Sequence, residues 1–187
     1  GMKIGIVDSG IDQDHPGLND DALAVPAGYP KGGRDSDFAG VNHKVIVARS
    51  YSAPSPADHS GHGTAVAMAA AGRVHQSPVG ELSGVAPRAF LGNYKVFPDS
   101  PNAGASASSI VRAIKDATAD GMDVINLSLG STPAGNPAFD VVTRAVERAA
   151  AQGVVVITAA GNAGPNGPAS PTSEKLRPRR LKRAPGV

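Results

Sequence analysis

The sequence contains no cysteine, and aromatic residues make up only 4% of its 187 residues. The absence of cysteine excludes disulfide bonds and cysteine nucleophiles, but it does not identify a cellular compartment. No apolar run approaches the roughly 20 residues that a membrane-spanning helix requires, and no signal peptide is recognisable. Glycine (23 residues) and proline (16) are frequent. We therefore expect a globular domain whose core consists of alanine, valine, isoleucine and leucine side chains.

Basic residues are scarce outside one short segment. Residues 174–183 hold six of the 18 lysines and arginines and one of the 16 acidic residues, which leaves a body with 12 basic and 15 acidic residues and a net charge of −3. A mildly acidic body does not favour nucleic acid as a partner. We interpret residues 1–171 as one domain and 172–187 as a basic tail. The tail is a polyanion-binding or membrane-surface segment, a solvated disordered end, or non-native sequence from an altered reading frame or a truncation. The last two interpretations are favoured over the first.

The apolar pattern predicts strands that alternate with helices. Continuous apolar runs typical of buried strands occupy residues 3–8, 44–50, 89–97, 123–129 and 154–160. Helical spacing covers residues 62–72, 106–120 and 137–152. Residues 12–40 are rich in proline and glycine, and we expect them on the surface. This order indicates an α/β fold, with a doubly wound, mainly parallel sheet, helices on both faces and right-handed crossovers.

Three polar residues are candidates for catalytic chemistry. Asp8 ends the first predicted strand, Asn162 follows the last, and His62 begins a predicted helix between two glycines. Sites in parallel sheets form beyond the carboxyl ends of the strands. A serine hydrolase needs a nucleophile, an imidazole base, a carboxylate that orients the imidazole, and donors for the oxyanion. Taken singly, each residue has a simpler interpretation: a turn-capping Asp, a His without a catalytic role, and a loop Asn.

Three short segments together resemble a known family. They are VDSGID at 7–12, GHGT at 61–64 and AGN at 160–162. Their order and spacing resemble those of the subtilisin-like serine proteases, and the resemblance covers about residues 3–168. It implies a subtilisin-like fold in which Asp8 orients His62, His62 acts as the base, and Asn162 donates a hydrogen bond to the oxyanion.

Further segments extend the resemblance. NLSLG at 126–130 is similar to the family segment that pairs with an extended polypeptide substrate, which makes Ser128, Leu129 and Gly130 candidate substrate-binding residues. The alternative for these three residues is an ordinary strand end. GVAP at 84–87 with YKV at 94–96 resembles a structural segment of the family. Asp58, four residues before His62, also matches a common family position, and we expect a structural role for it.

One required part of the family pattern is missing. No serine occurs in the family's Gly-Thr-Ser-Met-Ala setting, because Ser170 and Ser173 lie too close to Asn162 and neither begins a small-residue helix. We expect the chain to be the N-terminal portion of a subtilisin-like serine endopeptidase domain whose nucleophile lies beyond Val187. The chain as given should then be inactive. A non-catalytic peptide-binding scaffold is the alternative function. A nucleotide-binding enzyme is a weaker third, because no Gly-x-Gly-x-x-Gly follows Val7.

The resemblance also sets expectations for cofactors, partners and location. The family's usual calcium ligand position is Gly17 here, so no metal is predicted, although calcium remains possible by family. The aspartates between residues 12 and 37 fit no defined calcium motif. The full-length protein is expected to be secreted or attached to the cell envelope. Self-association through an exposed sheet edge is possible if part of the domain is missing.

Overall fold

The computed structural model describes residues 1–100, 103–130 and 140–162. Within these ranges the chain forms strands, α-helices and two 3₁₀ helices, at Pro16–Leu18 and Asp35–Gly40. The strands are β1 (Lys3–Asp8), β2 (Lys31–Gly32), β3 (Val45–Ser50), β4 (His75–Ser77), β5 (Gly80–Leu82), β6 (Phe90–Lys95), β7 (Val124–Leu127) and β8 (Val155–Thr158). The α-helices are α1 (His62–Ala71), α2 (Ala107–Asp120) and α3 (Val141–Ala151).

Six strands form one parallel sheet in the order β2-β3-β6-β1-β7-β8. Strand β1 lies inside the sheet, where it pairs in parallel with β6 on one side and β7 on the other. Strands β4 and β5 form a separate antiparallel hairpin. The predicted α/β class and parallel sheet are therefore confirmed.

Helices cover both faces of the sheet. One core cluster joins α2 and α3 to the strands through residues such as Ile114, Ala145 and Ile125. A second cluster on the opposite face joins α1 to the strands through Ala67, Ile6 and others. All six residues of β6 are buried, as expected for a strand that is covered on both faces. None of the helices in the described ranges is long and apolar enough to cross a membrane.

The elements predicted from apolar patterns are present, and their ends either coincide with the predicted ones or differ by up to four residues. The predicted start of the third helix, residues 137–139, lies outside the described residues, as do 163–171 of the predicted domain and the basic tail. Strand β2 and the hairpin β4–β5 were not predicted. Strand β2 has two residues, and the hairpin strands have three each, with half-buried and exposed residues in β4 and exposed residues in β5, so neither feature leaves an apolar pattern.

The segment 12–40 is less superficial than its composition predicts. Leu18 is fully buried, and it packs in the core cluster beside α1. The Asp37 side chain is buried as well, because its carboxylate accepts hydrogen bonds from the backbone N–H groups of Gly33 and Arg34 and from the Arg34 guanidinium. A buried carboxylate is stable only with such partners. The expectation of a surface segment is therefore wrong for these two residues.

Candidate active site

Asp8 ends strand β1 at the carboxyl edge of the sheet, and its side chain is buried, with 1% of its surface exposed. Its Oδ1 accepts a hydrogen bond from the backbone N–H of Ser9 at 2.7 Å and lies 2.7 Å from Nδ1 of His62. Among the described residues, Oδ2 of Asp8 has no hydrogen-bond partner and is also buried. The fold thus places a buried carboxylate in contact with the imidazole.

His62 is the first residue of α1, and 57% of its side chain is exposed. An ionised carboxylate can only accept hydrogen bonds, so the contact with Asp8 requires the proton to sit on Nδ1 of the ring. Nε2 then carries a free lone pair, which is the state a general base needs. The pair therefore combines a buried, orienting carboxylate with an accessible imidazole.

Two glycines allow the segments that carry Asp8 and His62 to approach each other. A side chain at Gly63 would collide with the backbone carbonyl oxygen of Gly10. Gly10 has a φ of +120°, and a Cβ on it would lie 2.7 Å from the carbonyl oxygen of Pro56. Both conflicts involve backbone atoms, which cannot rotate away as a side chain can. The glycines of the two sequence motifs are thus required by close packing.

Asp58 lies in the histidine loop, by which we mean residues 56–61 between β3 and the start of α1 at His62. Burial opposes its ionisation, but hydrogen bonds from the side chain and backbone of Thr64 and from the backbones of Ser60 and Gly61 outweigh burial and lower the pKa of Asp58. The expectation of a structural role at this position is consistent with these contacts.

A cavity of about 580 Å³ opens beside His62. The described residues that line it come from four places in the chain: the end of β1, the loop before α1 together with His62, residues 97–100 and 103 after β6, and Ser128 after β7. Lys95, which is buried, forms an ion pair with Asp99 in that wall. The cavity is large enough for side chains of a peptide or a small ligand.

The structure brings some of the predicted residues together and leaves others apart. Asp8 and His62 are in contact, and Ser128 lines the same cavity. The described lining residues do not include Leu129, Gly130 or Asn162. Leu129 packs partly buried against the core, Gly130 is exposed, and Asn162 is exposed four residues after β8 at the same edge of the sheet. The catalytic and substrate-binding roles of all these residues stay predictions.

No group of three metal-ligating side chains occurs within the described ranges. Gly17, the position of the family's calcium ligand, is buried, and a side chain there would run into the end of the Met68 side chain. Calcium binding stays a prediction from the family resemblance.

Sequence reasoning missed two partners of the histidine loop. Ser9 and Asn93 are both buried; the Ser9 hydroxyl donates a hydrogen bond to Asp58, and the Asn93 amide donates one to the carbonyl oxygen of Pro56. The only signal for Ser9 was its position inside the first motif. Asn93 and Lys95 are the hydrogen-bonding outliers of the predicted strand 89–97, and a buried polar side chain in such a run points to a buried partner.

A carboxylate–imidazole pair at the carboxyl edge of a parallel α/β sheet defines the class of hydrolases that use a catalytic triad. The comparisons are more specific. A model of the subtilase family matches residues 1–177, so the chain belongs to the subtilase family of serine proteases.

Individual relatives agree with this assignment. The chain is 34% identical to subtilisin-like protease SBT2.3 of Arabidopsis thaliana over 198 residues, covering 88% of this chain and 23% of that protein. It is also 34% identical to SBT4.10 of the same plant over 173 residues, covering 87% and 24%. The chain thus spans about a quarter of the length of the curated relatives it matches.

Solved structures give the same fold. The protease domain of PatA matches with a TM-score of 0.59 and 25% identity, over 86% of this chain and 50% of that chain. The maturation protease PagA matches with a TM-score of 0.56 and 24% identity, over 86% and 46%.

Proposed function

We propose that this chain provides the carboxylate and the base of a subtilisin-like serine endopeptidase site. Asp8 orients the imidazole, His62 is the general base and then the general acid, and Asn162 donates a hydrogen bond to the oxyanion. The observation that carries the proposal is the 2.7 Å contact between Oδ1 of Asp8 and Nδ1 of His62, with the other side of the ring open to a cavity.

The proposed chemistry follows from that geometry. Nε2 of His62 takes the proton of a serine hydroxyl as its oxygen attacks a peptide carbonyl, and the same proton then goes to the leaving amine. The imidazolium that forms between these steps is stabilised by the Asp8 carboxylate, which is shielded from water. A polypeptide substrate would extend along Ser128, Leu129 and Gly130 by backbone pairing. The position of Ser128 in the cavity wall supports this placement.

We further propose that the nucleophilic serine is not among residues 1–187 and that this chain alone hydrolyses peptides poorly or not at all. Neither Ser170 nor Ser173 stands in the family's serine setting. A base without its serine has nothing to activate. A secreted or cell-envelope location of the full-length protein, and any need for calcium, remain predictions from the family resemblance.

A peptide-binding scaffold without catalysis is the second candidate. The missing serine setting and the open cavity beside Ser128 favour it. The retained Asp8–His62 pair favours the peptidase, because a scaffold has no physical need of an imidazole held against a buried carboxylate.

Labelling with a fluorophosphonate probe, which reacts with activated serines, separates the candidates. The chain is tested beside the product of the longer reading frame of the same gene, each with a His62→Ala variant. The peptidase proposal predicts labelling of the longer product only, abolished by His62→Ala. If neither product is labelled but an extended peptide binds, the scaffold is correct. Labelling of this chain that depends on His62 would refute the placement of the nucleophile outside it.

A further inference from the structure

The carboxylate of Asp58 gathers the N–H groups at the start of helix α1. Its Oδ1 accepts hydrogen bonds from the backbone N–H groups of Ser60 and Gly61, both at 2.9 Å. Its Oδ2 accepts from the backbone N–H of Thr64 at 2.9 Å and from the Thr64 hydroxyl at 2.6 Å. The N-cap residue Gly61 has no side chain that could perform this task. Asp58 therefore replaces the missing cap and fixes the residues on either side of His62.

A second set of contacts connects Asp58 to the other half of the site. The hydroxyl of Ser9 donates a hydrogen bond to Oδ1 of Asp58 at 2.9 Å and accepts one from the backbone N–H of Gly63 at 2.9 Å. The backbone N–H of Ser9 donates to Oδ1 of Asp8, which is the atom that faces His62. Gly61 and Gly63 thus flank His62. The backbone N–H of Gly61 donates to Asp58, and the backbone N–H of Gly63 donates to Ser9.

The loop that carries Asp58 is itself anchored to the sheet. The Asn93 side chain on β6 donates a hydrogen bond to the carbonyl oxygen of Pro56 at 2.9 Å. The Lys95 ammonium at the end of the same strand donates to the carbonyl oxygen of Ala57. Both side chains are 1% exposed. Pro56 and Ala57 therefore have polar contacts to β6, and Asp58 has one to Ser9, the residue that follows β1, so the loop is tied to the strands that form the site.

We propose that Asp58 is a positioning residue that sets the His62 imidazole against Asp8. This inference rests on the proposed function of the same site. Asp58 does not touch the reacting atoms; it acts through Ser9 and the backbone around His62. The position of the imidazole matters for catalysis, because misplacement of a catalytic group by about 1 Å lowers the rate by a factor on the order of 10². The lowered pKa of Asp58 is the direction expected for a carboxylate that accepts several hydrogen bonds.

Asp140 provides a matched control. It is the N-cap residue of α3, and its Oδ2, like that of Asp58, accepts hydrogen bonds from the backbone N–H and the hydroxyl of a threonine, here Thr143 at 3.1 Å and 2.6 Å. Asp58→Ala and Asp140→Ala each remove a carboxylate that caps a helix and accepts a hydrogen bond from a threonine hydroxyl. Asp58 alone of the two is connected to Ser9 and Asp8.

The test is amide and imidazole hydrogen exchange, measured by NMR on the intact 187-residue chain, so it does not depend on peptidase activity. In Asp58→Ala, the amides of Gly61 and Thr64 should exchange about fivefold to thirtyfold faster, the factor expected for loss of a cap. The positioning role predicts that the Gly63 amide and the Nδ1 proton of His62 also lose protection. In Asp140→Ala, the Thr143 amide should change and the Nδ1 proton of His62 should not.

Each other outcome decides against the proposal. If Asp58→Ala affects Gly61 and Thr64 but leaves the His62 proton protected, Asp58 is only a cap. If Asp140→Ala affects His62 equally, the effect is general destabilisation. Should Asp58→Ala fail to fold, Asp58→Asn keeps one accepting oxygen and should give a smaller change at His62. A chain that also unfolds with Asn would make Asp58 a global stability residue and overturn the positioning role. Failure of the peptidase proposal would appear in serine labelling and leave these exchange rates unchanged.

Discussion

At the scale of single residues, the site depends on the close approach of two backbone segments, the start of α1 and the turn after β1. Gly63 lies in the first turn of α1, and its backbone N–H donates a hydrogen bond to Ser9. The absence of a Cβ lets α1 begin against Gly10, next to the end of β1. Helix propensity alone would favour alanine over glycine by about 1 kcal/mol at such a position. The collision with Gly10 should reverse that preference.

We therefore expect Gly63→Ala to destabilise the chain by about 2–3 kcal/mol, the usual cost of inserting a group where the backbone must move. Urea unfolding measures the change. Gly104→Ala is the control, because a Cβ at Gly104 would meet open space and its φ is not positive. A Gly63→Ala variant as stable as the Gly104→Ala variant would show that the contact with Gly10 is looser than described.

Lys44 should make the stability of the folded chain depend on pH. Its side chain is buried and donates hydrogen bonds to the carbonyl oxygens of Pro87 and Ala89. Burial lowers the pKa of Lys44 from 10.5 to about 8, although Asp20 opposes the shift. Between these two values the unfolded chain binds more protons than the folded chain. The contribution of Lys44 to stability therefore rises with pH across this window.

Between about pH 8 and 10, the free energy of unfolding should rise more steeply with pH in the parent chain than in Lys44→Met. Chemical unfolding at several pH values measures both slopes. Only the difference in slope is predicted, since Lys44→Met also leaves two carbonyl oxygens without their donor. Identical slopes would mean that Lys44 remains protonated in the folded chain over this range.

At the scale of elements, the end of α2 is tied to strands on the same face of the sheet. The buried Asp120 carboxylate accepts two hydrogen bonds from the Arg49 guanidinium on β3, both at 2.8 Å, and one from the Tyr94 hydroxyl on β6. Burial raises the pKa of Tyr94, and the neighbouring Asp120 adds to the shift. The Tyr94 hydroxyl therefore remains a donor to Asp120.

Asp120→Asn should cost about 3 kcal/mol, because it leaves the guanidinium of Arg49 without its counter-charge in a mostly buried site. Asp123→Asn, three residues away, removes a more exposed pair with Lys3 and should cost about 1 kcal/mol or less. Thermal unfolding of both variants provides the comparison. Equal losses would indicate that Asp120 is solvated enough for its charge to be replaceable.

The same scale shows which elements could be predicted from the sequence. Helix α2 was predictable because Ile110, Ala113, Ile114 and Ala117 are spaced for one buried face, and they are buried. Strand β1 was predictable as a continuous apolar run because both sides of the central sheet are covered. The hairpin β4–β5 has no such signal, since it packs little apolar surface and its formation depends on its own turn.

The site was predictable only in part. The Asp8–His62 pair followed from motifs that resemble a family, since the two residues are 54 positions apart and no local pattern connects them. The contact of Asp58 with Ser9 spans 49 positions and likewise depends on tertiary folding. Local sequence cannot specify such contacts, because hydrogen-bonding side chains have no periodicity that reveals their partner.

At the scale of the whole molecule, the sheet ends at β8 within the described residues. Strand β8 pairs with β7 on one side, and its Val155 and Ile157 side chains are each about half exposed. An open strand edge with apolar side chains favours pairing with another chain. The predicted self-association through a sheet edge would use this strand.

Self-association should then be concentration-dependent in sedimentation velocity experiments and should weaken in Ile157→Lys. Val141→Lys adds the same charge at a similarly exposed valine that belongs to α3 and not to a strand, and it should leave association unchanged. A monomeric parent chain at all concentrations, or equal effects of the two lysines, would contradict a role for β8.

The central claim is that Asp8 holds His62 in the tautomer that leaves Nε2 free to accept a proton. The most direct measurement is ¹⁵N NMR of the imidazole in the labelled chain, at about pH 9, where imidazoles are neutral. We predict a proton on Nδ1 and none on Nε2, with the preference lost or reversed in Asp8→Asn and kept in the exposed control Asp12→Asn. A proton on Nε2 in the parent chain, or the same tautomer mixture in Asp8→Asn, would contradict the account.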